Sequence, residues 1–284
     1  MRSAFHRTAR FVRHLPGLEQ AEWLWDALRK PYHWVLDSSG QGVTILVGGS
    51  VPVKVPIEFI GGNWEVFETE AVGAFVKWVR NHPAGVVLDV GSSIGLYSAV
   101  ALFAGTGVEV IAFDSDLPSL AALRRLCQHA DRRRLRLVHG LVGEKADQLD
   151  TIEKSVIVTK TELDVIPELS PTRYICLEPG GCSPDEVAIP CRRLDDLFPS
   201  DGSGKREMLI KCDVEGAELH ILRGAEKLIG CHRPDLLLSV HPETLPYYGH
   251  SKQMVSDYLR RSGYEVDCLA VDHEEHWWCT CKSP

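Results

Sequence analysis

The residues best equipped for chemistry are carboxylates that recur where short apolar runs end. VVLDVGSSIGLYS carries Asp89 before a turn with Gly91 and Gly95, and VIAFDSD carries Asp114 and Asp116. LIKCDVEGAELHILRGA carries Asp213, Glu215 and Glu218, and PDLLLSVHPE adds His241 and Glu243. Carboxylates crowded like Asp213, Glu215 and Glu218 repel one another unless a cation, a metal or a shared proton offsets them. Burying such charge for packing alone is costly. Lys211, on the same apolar run, is one offset. An imidazole at His241 beside these acids suits proton removal from a weak nucleophile.

The turn from Asp89 to Gly95 reads D-x-G-x-x-x-G and opens directly into an apolar helix. Gly91 is expected to let the backbone approach a ligand, and Gly95 to let the helix pack closely. Dinucleotide binders use G-x-G-x-x-G, whose glycines free helix N–H groups for a pyrophosphate. A carboxylate at Asp89 instead suits a ligand with cationic parts, such as a sulfonium with an amino-acid tail. Asp114, at the tip of the next strand, is placed to accept hydrogen bonds from both ribose hydroxyls. Asp116 reads as the N-cap of the helix that follows. Leu141 and Val142, after the third strand of this series, are expected to line an adenine ring.

These positions meet only if the chain alternates strands and helices. From Val86 onward it does: VVLDV, VEVIAF, LRLVHG, EMLIKCDV and PDLLLSVH read as strands, with helices predicted over Leu96–Phe103, Leu117–Ala130, Ala217–Ile229 and Gln253–Arg261. Such alternation implies parallel pairing with right-handed crossovers, a doubly wound α/β sheet. Ligands bind outside the carboxyl ends of strands in such sheets. Asp89, Asp114, Asp213, Glu215 and His241 are therefore expected on one rim. YEVDCLAV and HWWCTC end the pattern as an antiparallel pair, HWWCTC as the final edge strand. Residues 41–59 read as a hairpin and Glu68–Val79 as a helix. The organisation expected is an extension over 1–63, a helix plus hairpin able to act as a lid, and a catalytic domain over 64–284 with an insertion near 150–200.

Bulk properties narrow the class. The chain of 284 residues carries a net charge of −8, which argues against a nucleic-acid surface. No apolar run is long enough to span a bilayer, and the start MRSAFHRTARFVRHLPGLEQ lacks the apolar segment of a secretory signal. The nine cysteines match no common zinc spacing. An odd number without such a signal points to reduced thiols and a cytoplasmic protein.

The sequence resembles the FkbM family of S-adenosylmethionine-dependent methyltransferases. VVLDVGSSIGLYS, VIAFDSD, RRLDDLF, LIKCDVEGAELHILRGA and PDLLLSVHPE carry the resemblance, across residues 64–245. It implies a class I methyltransferase, a Rossmann-like seven-stranded, mostly parallel sheet. It also implies S-adenosyl-L-methionine as cofactor and O-methylation of a hydroxylated small-molecule acceptor such as a sugar or polyketide. Glu68 or Glu70 matches a glutamate often found there in the family. Two departures stand out: Asp114-Ser115 replaces the common Glu-Pro, and Ser92-Ser93 the usual Ala-Asn. The expected cofactor-binding set is Glu68, Asp89, Gly91, Ser92, Gly95, Asp114, Ser115, Leu141, Val142 and Asp213. For the acceptor, His241 or Asp213 removes the proton and Glu215 orients the base. No metal is assigned, although a divalent ion on Asp213 and Glu215 is a competing version. A nicotinamide-dependent oxidoreductase, disfavoured by the missing G-x-G, and a non-catalytic S-adenosylmethionine-binding protein are the rival classes. Oligomeric state is left open.

Overall fold

The structure, a computed structural model, describes residues 42–105, 107–144, 157–159, 186–188, 191–198 and 206–281. The helix expected over the first 35 residues and most of the insertion lie outside the described residues.

The expected hairpin forms as β1 (Val43–Val47) and β2 (Val51–Val55), antiparallel with Val43 opposite Val55. Val43, Ile45, Val47, Val51, Val53 and Val55 all point to one buried face, the period-2 pattern of a half-buried strand pair. The hairpin is a sheet of its own, and that face joins the apolar cluster beneath the helices. Helix α1 (Thr69–Asn81) buries Ala71, Val72, Phe75, Val76 and Val79 along a helical stripe.

The alternating part follows as β3 (Val86–Val90), α2 (Leu96–Ala104), β4 (Glu109–Asp114), α3 (Leu117–Leu126) and β5 (Leu135–His139). Short strands β6 (Leu141–Val142), β7 (Ile157–Thr159), β8 (Glu186–Ala188) and β9 (Cys191–Arg192) precede α4 (Leu194–Leu197). Then come β10 (Met208–Asp213), α5 (Glu218–Gly224), α6 (Glu226–His232), β11 (Asp235–Val240), α7 (Lys252–Arg261), β12 (Tyr264–Val271) and β13 (Glu275–Cys281). Seven strands form the main sheet in the order β12-β13-β11-β10-β3-β4-β5, parallel from β11 to β5. The fold is the expected doubly wound α/β class.

Three boundaries differ from the sequence expectations. β13 is not the edge. It inserts antiparallel between β11 and β12, and β12 takes the edge. Burial accounts for the order: Trp277 and Cys279 of β13 are buried, whereas β12 is mostly exposed. The helix expected over Ala217–Ile229 breaks at Ala225 into α5 and α6. Gly224 lies against the carbonyl of Gly143, where a side chain would collide. The helix from Leu117 ends at Leu126 and gives way to a tight turn over Cys127–His129.

Strand parity divides the core. Val87, Leu209 and Leu237 face the hairpin and α1–α3. Leu88, Val90, Ile210, Cys212, Leu236 and Leu238 face α4–α7. Asp89, Lys211 and Ser239 share the first parity, and all are buried where the strands end. The apolar alternation on that face is thus broken by a polar row at the carboxyl edge of the sheet.

Candidate active site

Register sets the row. Lys211 pairs with Asp89 across to β3, Asp213 with Ser239 across to β11, and Ser239 with His276 of β13. Lys211 Nζ donates to Asp213 Oδ2 at 2.9 Å and to Ser239 Oγ at 3.1 Å, and lies 4.9 Å from the Tyr97 ring centre. This is the offset expected for Asp213. Burial lowers the lysine pKa, but Asp213, Glu68 and Asp89 outweigh it and raise the net value. Buried Asp89 accepts from Ser98 Oγ at 2.5 Å. Burial pushes its pKa up to about 6, with Ser98 and Lys211 pulling the other way. Of the two candidate glutamates before the first parallel strand, Glu70 is exposed and Glu68 turns inward. Glu68 adopts a left-handed backbone with φ of 39° and accepts from Tyr97 Oη at 2.7 Å.

The glycine turn is shaped by its neighbours. Gly91 has φ of 74°, and a Cβ there would run into the Asp213 carbonyl. The residue at this position is therefore also constrained by β10. Gly95, at φ of 85°, would place a Cβ on Leu123 of α3, the close helix packing expected. The amides of Gly91 and Ser92 both donate to Phe113 O at 3.0 Å. Those N–H groups are spent inside the protein and do not cradle a phosphate. Ser92 Oγ is buried with no hydrogen-bond partner among the described residues.

Asp114 stands beside this turn because β3 and β4 are paired neighbours, with Val90 opposite Phe113. Its Oδ2 accepts from Ser93 N at 2.6 Å and its Oδ1 from Asp116 N at 2.8 Å. Burial raises its pKa against these bonds. Asp116 caps α3 as expected, accepting from Ser119 N at 2.8 Å. The carbonyl of Ser115 accepts from His139 Nε2 at 2.8 Å. Leu141 and Val142 form β6 beside Cys191 and Arg192, and both are half-buried.

His241 is enclosed by acids. Nδ1 is 2.8 Å from Glu218 Oε1, and Nε2 is 2.6 Å from Glu274 Oε2. Asp213 Oδ1 and Glu215 Oε2 each lie 3.6 Å from Nε2. Ionised carboxylates only accept, so the ring donates from both nitrogens and is an imidazolium. Burial works against the charge, yet the bonds to Glu218 and Glu274 dominate and push the pKa up to about 10. This corrects the expectation of His241 as resting base, because neither nitrogen has a lone pair to offer. Glu215, at φ of 52°, and Glu243 are exposed. Glu218 is fully buried and also accepts from Gly216 N at 3.0 Å.

Two buried residues of the site, Glu274 and His276, were not anticipated. Glu274 sits in the turn between β12 and β13 and His276 at the start of β13, within DHEEH. A run of titratable residues where a tight turn needs only Gly or Asn was the available signal.

The described cysteines are free thiols, as expected. Among the described residues no helix is long and apolar enough to cross a membrane. The family model described as "Methyltransferase FkbM domain" matches residues 89–266. A methyltransferase FkbM from Methylobacillus flagellatus KT aligns at 20% identity with a TM-score of 0.46, covering 70% of this chain and 44% of that one. This chain thus spans less than half of that relative's length. Precorrin-6y C5,15-methyltransferase from Geobacter metallireducens GS-15 aligns at 14% identity with a TM-score of 0.43, over 81% of this chain and 94% of that one. Magnesium protoporphyrin IX methyltransferase from Synechocystis PCC 6803, with bound SAM, aligns at 13% identity with a TM-score of 0.40, over 75% of this chain and 79% of that one. No curated protein matches the sequence.

Proposed function

The chain belongs to the FkbM methyltransferase family, whose methyl donor is S-adenosylmethionine, and we propose that it methylates a hydroxyl oxygen of a small molecule. The observation that carries the reading is the pair of carboxylates, Asp89 and Asp114, on adjacent strand tips beside a turn whose amides are already taken by Phe113. Such a corner offers negative charge and no phosphate cradle. The residues fit the donor: Ser98 takes Oδ2 of Asp89, and the buried Ser92 hydroxyl is unsatisfied among the described residues.

When bound, the donor supplies an electrophilic methyl carbon on a sulfonium sulfur. The chain's own groups do the rest. Asp89 would hold the ammonium of the amino-acid tail, and Asp114 the ribose hydroxyls. Leu141 and Val142 cover the adenine, while Gly91, Ser92, Gly95 and Ser115 shape the cleft. Glu68, held by Tyr97, adds negative charge on the inner side. Asp213 would take the acceptor's proton, making the oxygen a better nucleophile. Only one oxygen of Asp213 is taken by Lys211; the other faces His241. The His241 imidazolium and exposed Glu215 fix the direction of that carboxylate. Reaction requires the acceptor oxygen about 3 Å from the methyl carbon and in line with the breaking bond.

Calorimetry with S-adenosylmethionine and S-adenosylhomocysteine tests the donor half, and transfer of a labelled methyl group to a library of hydroxylated metabolites tests the acceptor half. Binding of the donor together with label on oxygen is expected. Absence of heat from both compounds overturns the whole reading; label found on nitrogen, carbon or sulfur overturns the acceptor class alone.

A further inference from the structure

We propose that Glu68, Glu274 and His276 form a binding site for one divalent transition ion of the Mn2+ or Zn2+ class. The inference is independent of methyl transfer, because it concerns ion binding by the resting protein.

The argument starts from the imidazole. His276 is fully buried, and its Nε2 faces Asp272 Oδ2 at 3.3 Å. The carboxylate can only accept, so Nε2 donates to Asp272 and the free side of the ring is Nδ1. That nitrogen points at Glu274 Oε1, 3.5 Å away, and at Glu68 Oε2, 3.7 Å away. Nδ1 of His276 and Oε1 of Glu274 are buried and have no hydrogen-bond partner among the described residues. Three acceptor atoms within 4.8 Å of one another, in buried side chains, repel unless a cation stands between them. Lys211 does not fill the gap, since its ammonium is bonded to Asp213 and Ser239.

Spacing and chemistry agree. Donor atoms about 2.1 Å from a shared ion, at a tetrahedral angle, lie roughly 3.4 Å apart. An imidazole with two carboxylates suits Zn2+ or Mn2+, both borderline or hard ions. The surroundings fit a ligand set: Asp272 orients His276 through the far nitrogen, and Tyr97 Oη donates to Glu68. The neighbouring group of Asp213, His241 and Glu274 is different, because His241 already donates to Glu274 at 2.6 Å and shows no lone pair to an ion. The ion would tie the β12–β13 turn to the start of α1 and, through the other Glu274 oxygen, abut His241.

The full chain, dialysed against EDTA and then against buffer, is titrated with MnCl2 and separately with ZnCl2. Calorimetry reads affinity, Mn2+ electron paramagnetic resonance reads the bound fraction, and a melting curve reads the coupling to folding. One equivalent of at least one ion is expected, with a rise in melting temperature. Glu68→Gln and His276→Gln should each weaken that binding at least tenfold, and Asp213→Asn should not. Should His276→Gln fail to fold, Glu68→Gln, which is nearly isosteric, decides alone. No saturable binding of either ion overturns the site, as does binding unchanged in Glu68→Gln or abolished in Asp213→Asn.

Discussion

Ser98 Oγ donates to Asp89 Oδ2 at 2.5 Å, inside the core and one helical turn beyond Gly95. The hydroxyl favours the ionised carboxylate, while burial opposes it and pushes the pKa up to about 6. A cationic ligand binds the ionised form. Donor affinity should therefore rise between about pH 5 and pH 7 and then level off. Ser98→Ala removes a group that lowers the pKa, so it should move the midpoint upward. Calorimetry across this range checks both shifts; a flat profile would mean that Asp89 does not meet the donor's ammonium.

His139 gives the stability a slope of known sign. It is buried, donates Nε2–H to Ser115 O at 2.8 Å, and burial pushes its pKa down to about 4. An unfolded histidine titrates near about 6.5. As pH falls from about 6.5 towards 4, the unfolded chain binds a proton that the folded chain refuses, and stability is lost. Asp89 acts oppositely over about pH 6 to 4, since its ionised form is the costly one in the fold. Subtracting the urea stability of His139→Gln from that of wild type isolates the histidine. The difference should shrink as pH falls through this window, and a constant difference would disprove the assignment.

Gly91 is fixed by the carbonyl of Asp213 on the neighbouring strand. Gly91→Ala combines a positive φ with that collision, and we expect a loss on the order of 2–4 kcal/mol. Gly249 also has a positive φ, of 70°, but open space around it, so Gly249→Ala should cost about 1 kcal/mol. Urea unfolding of the two variants measures the contrast, and equal losses would mean that the strand contact carries no weight.

Asp213 and His241 should separate under kinetics. Asp213→Asn keeps the shape and removes the base, and turnover should fall about 10²-fold with donor affinity unchanged. His241→Gln removes the cation between Glu218 and Glu274, so it should lower turnover and also stability. Steady-state kinetics with donor calorimetry on both variants checks the division. Unaltered turnover in Asp213→Asn would move the base to another group.

Much of the frame was legible because apolar runs announce buried strands, and acids at their ends announce a rim. Asp89, Asp114, Asp213 and His241 were placed at strand ends this way, and Lys211 was named as the counter-charge and does bond to Asp213. The partners of His241 were not legible. Glu274 belongs to a turn between two strands whose lateral order depends on which strand buries better, and periodicity alone does not report that order. The charge favoured at His241 was missed for the same reason, because it depends on carboxylates at hydrogen-bond distance from both of its nitrogens. The break at Ala225 was hidden as well, since it follows from the approach of Gly143 to Gly224.

Because β13 lies between β11 and β12, the sheet contains an order of dependence as well as a shape. β12 precedes β13 in the chain, yet among the described residues its backbone ladder is to that following strand alone. β12 reaches the sheet through β13, so its place at the edge depends on the strand that follows it in the chain. The turn between the two strands holds Glu274, so the carboxylate closest to Nε2 of His241 comes from the antiparallel pair laid beside β11.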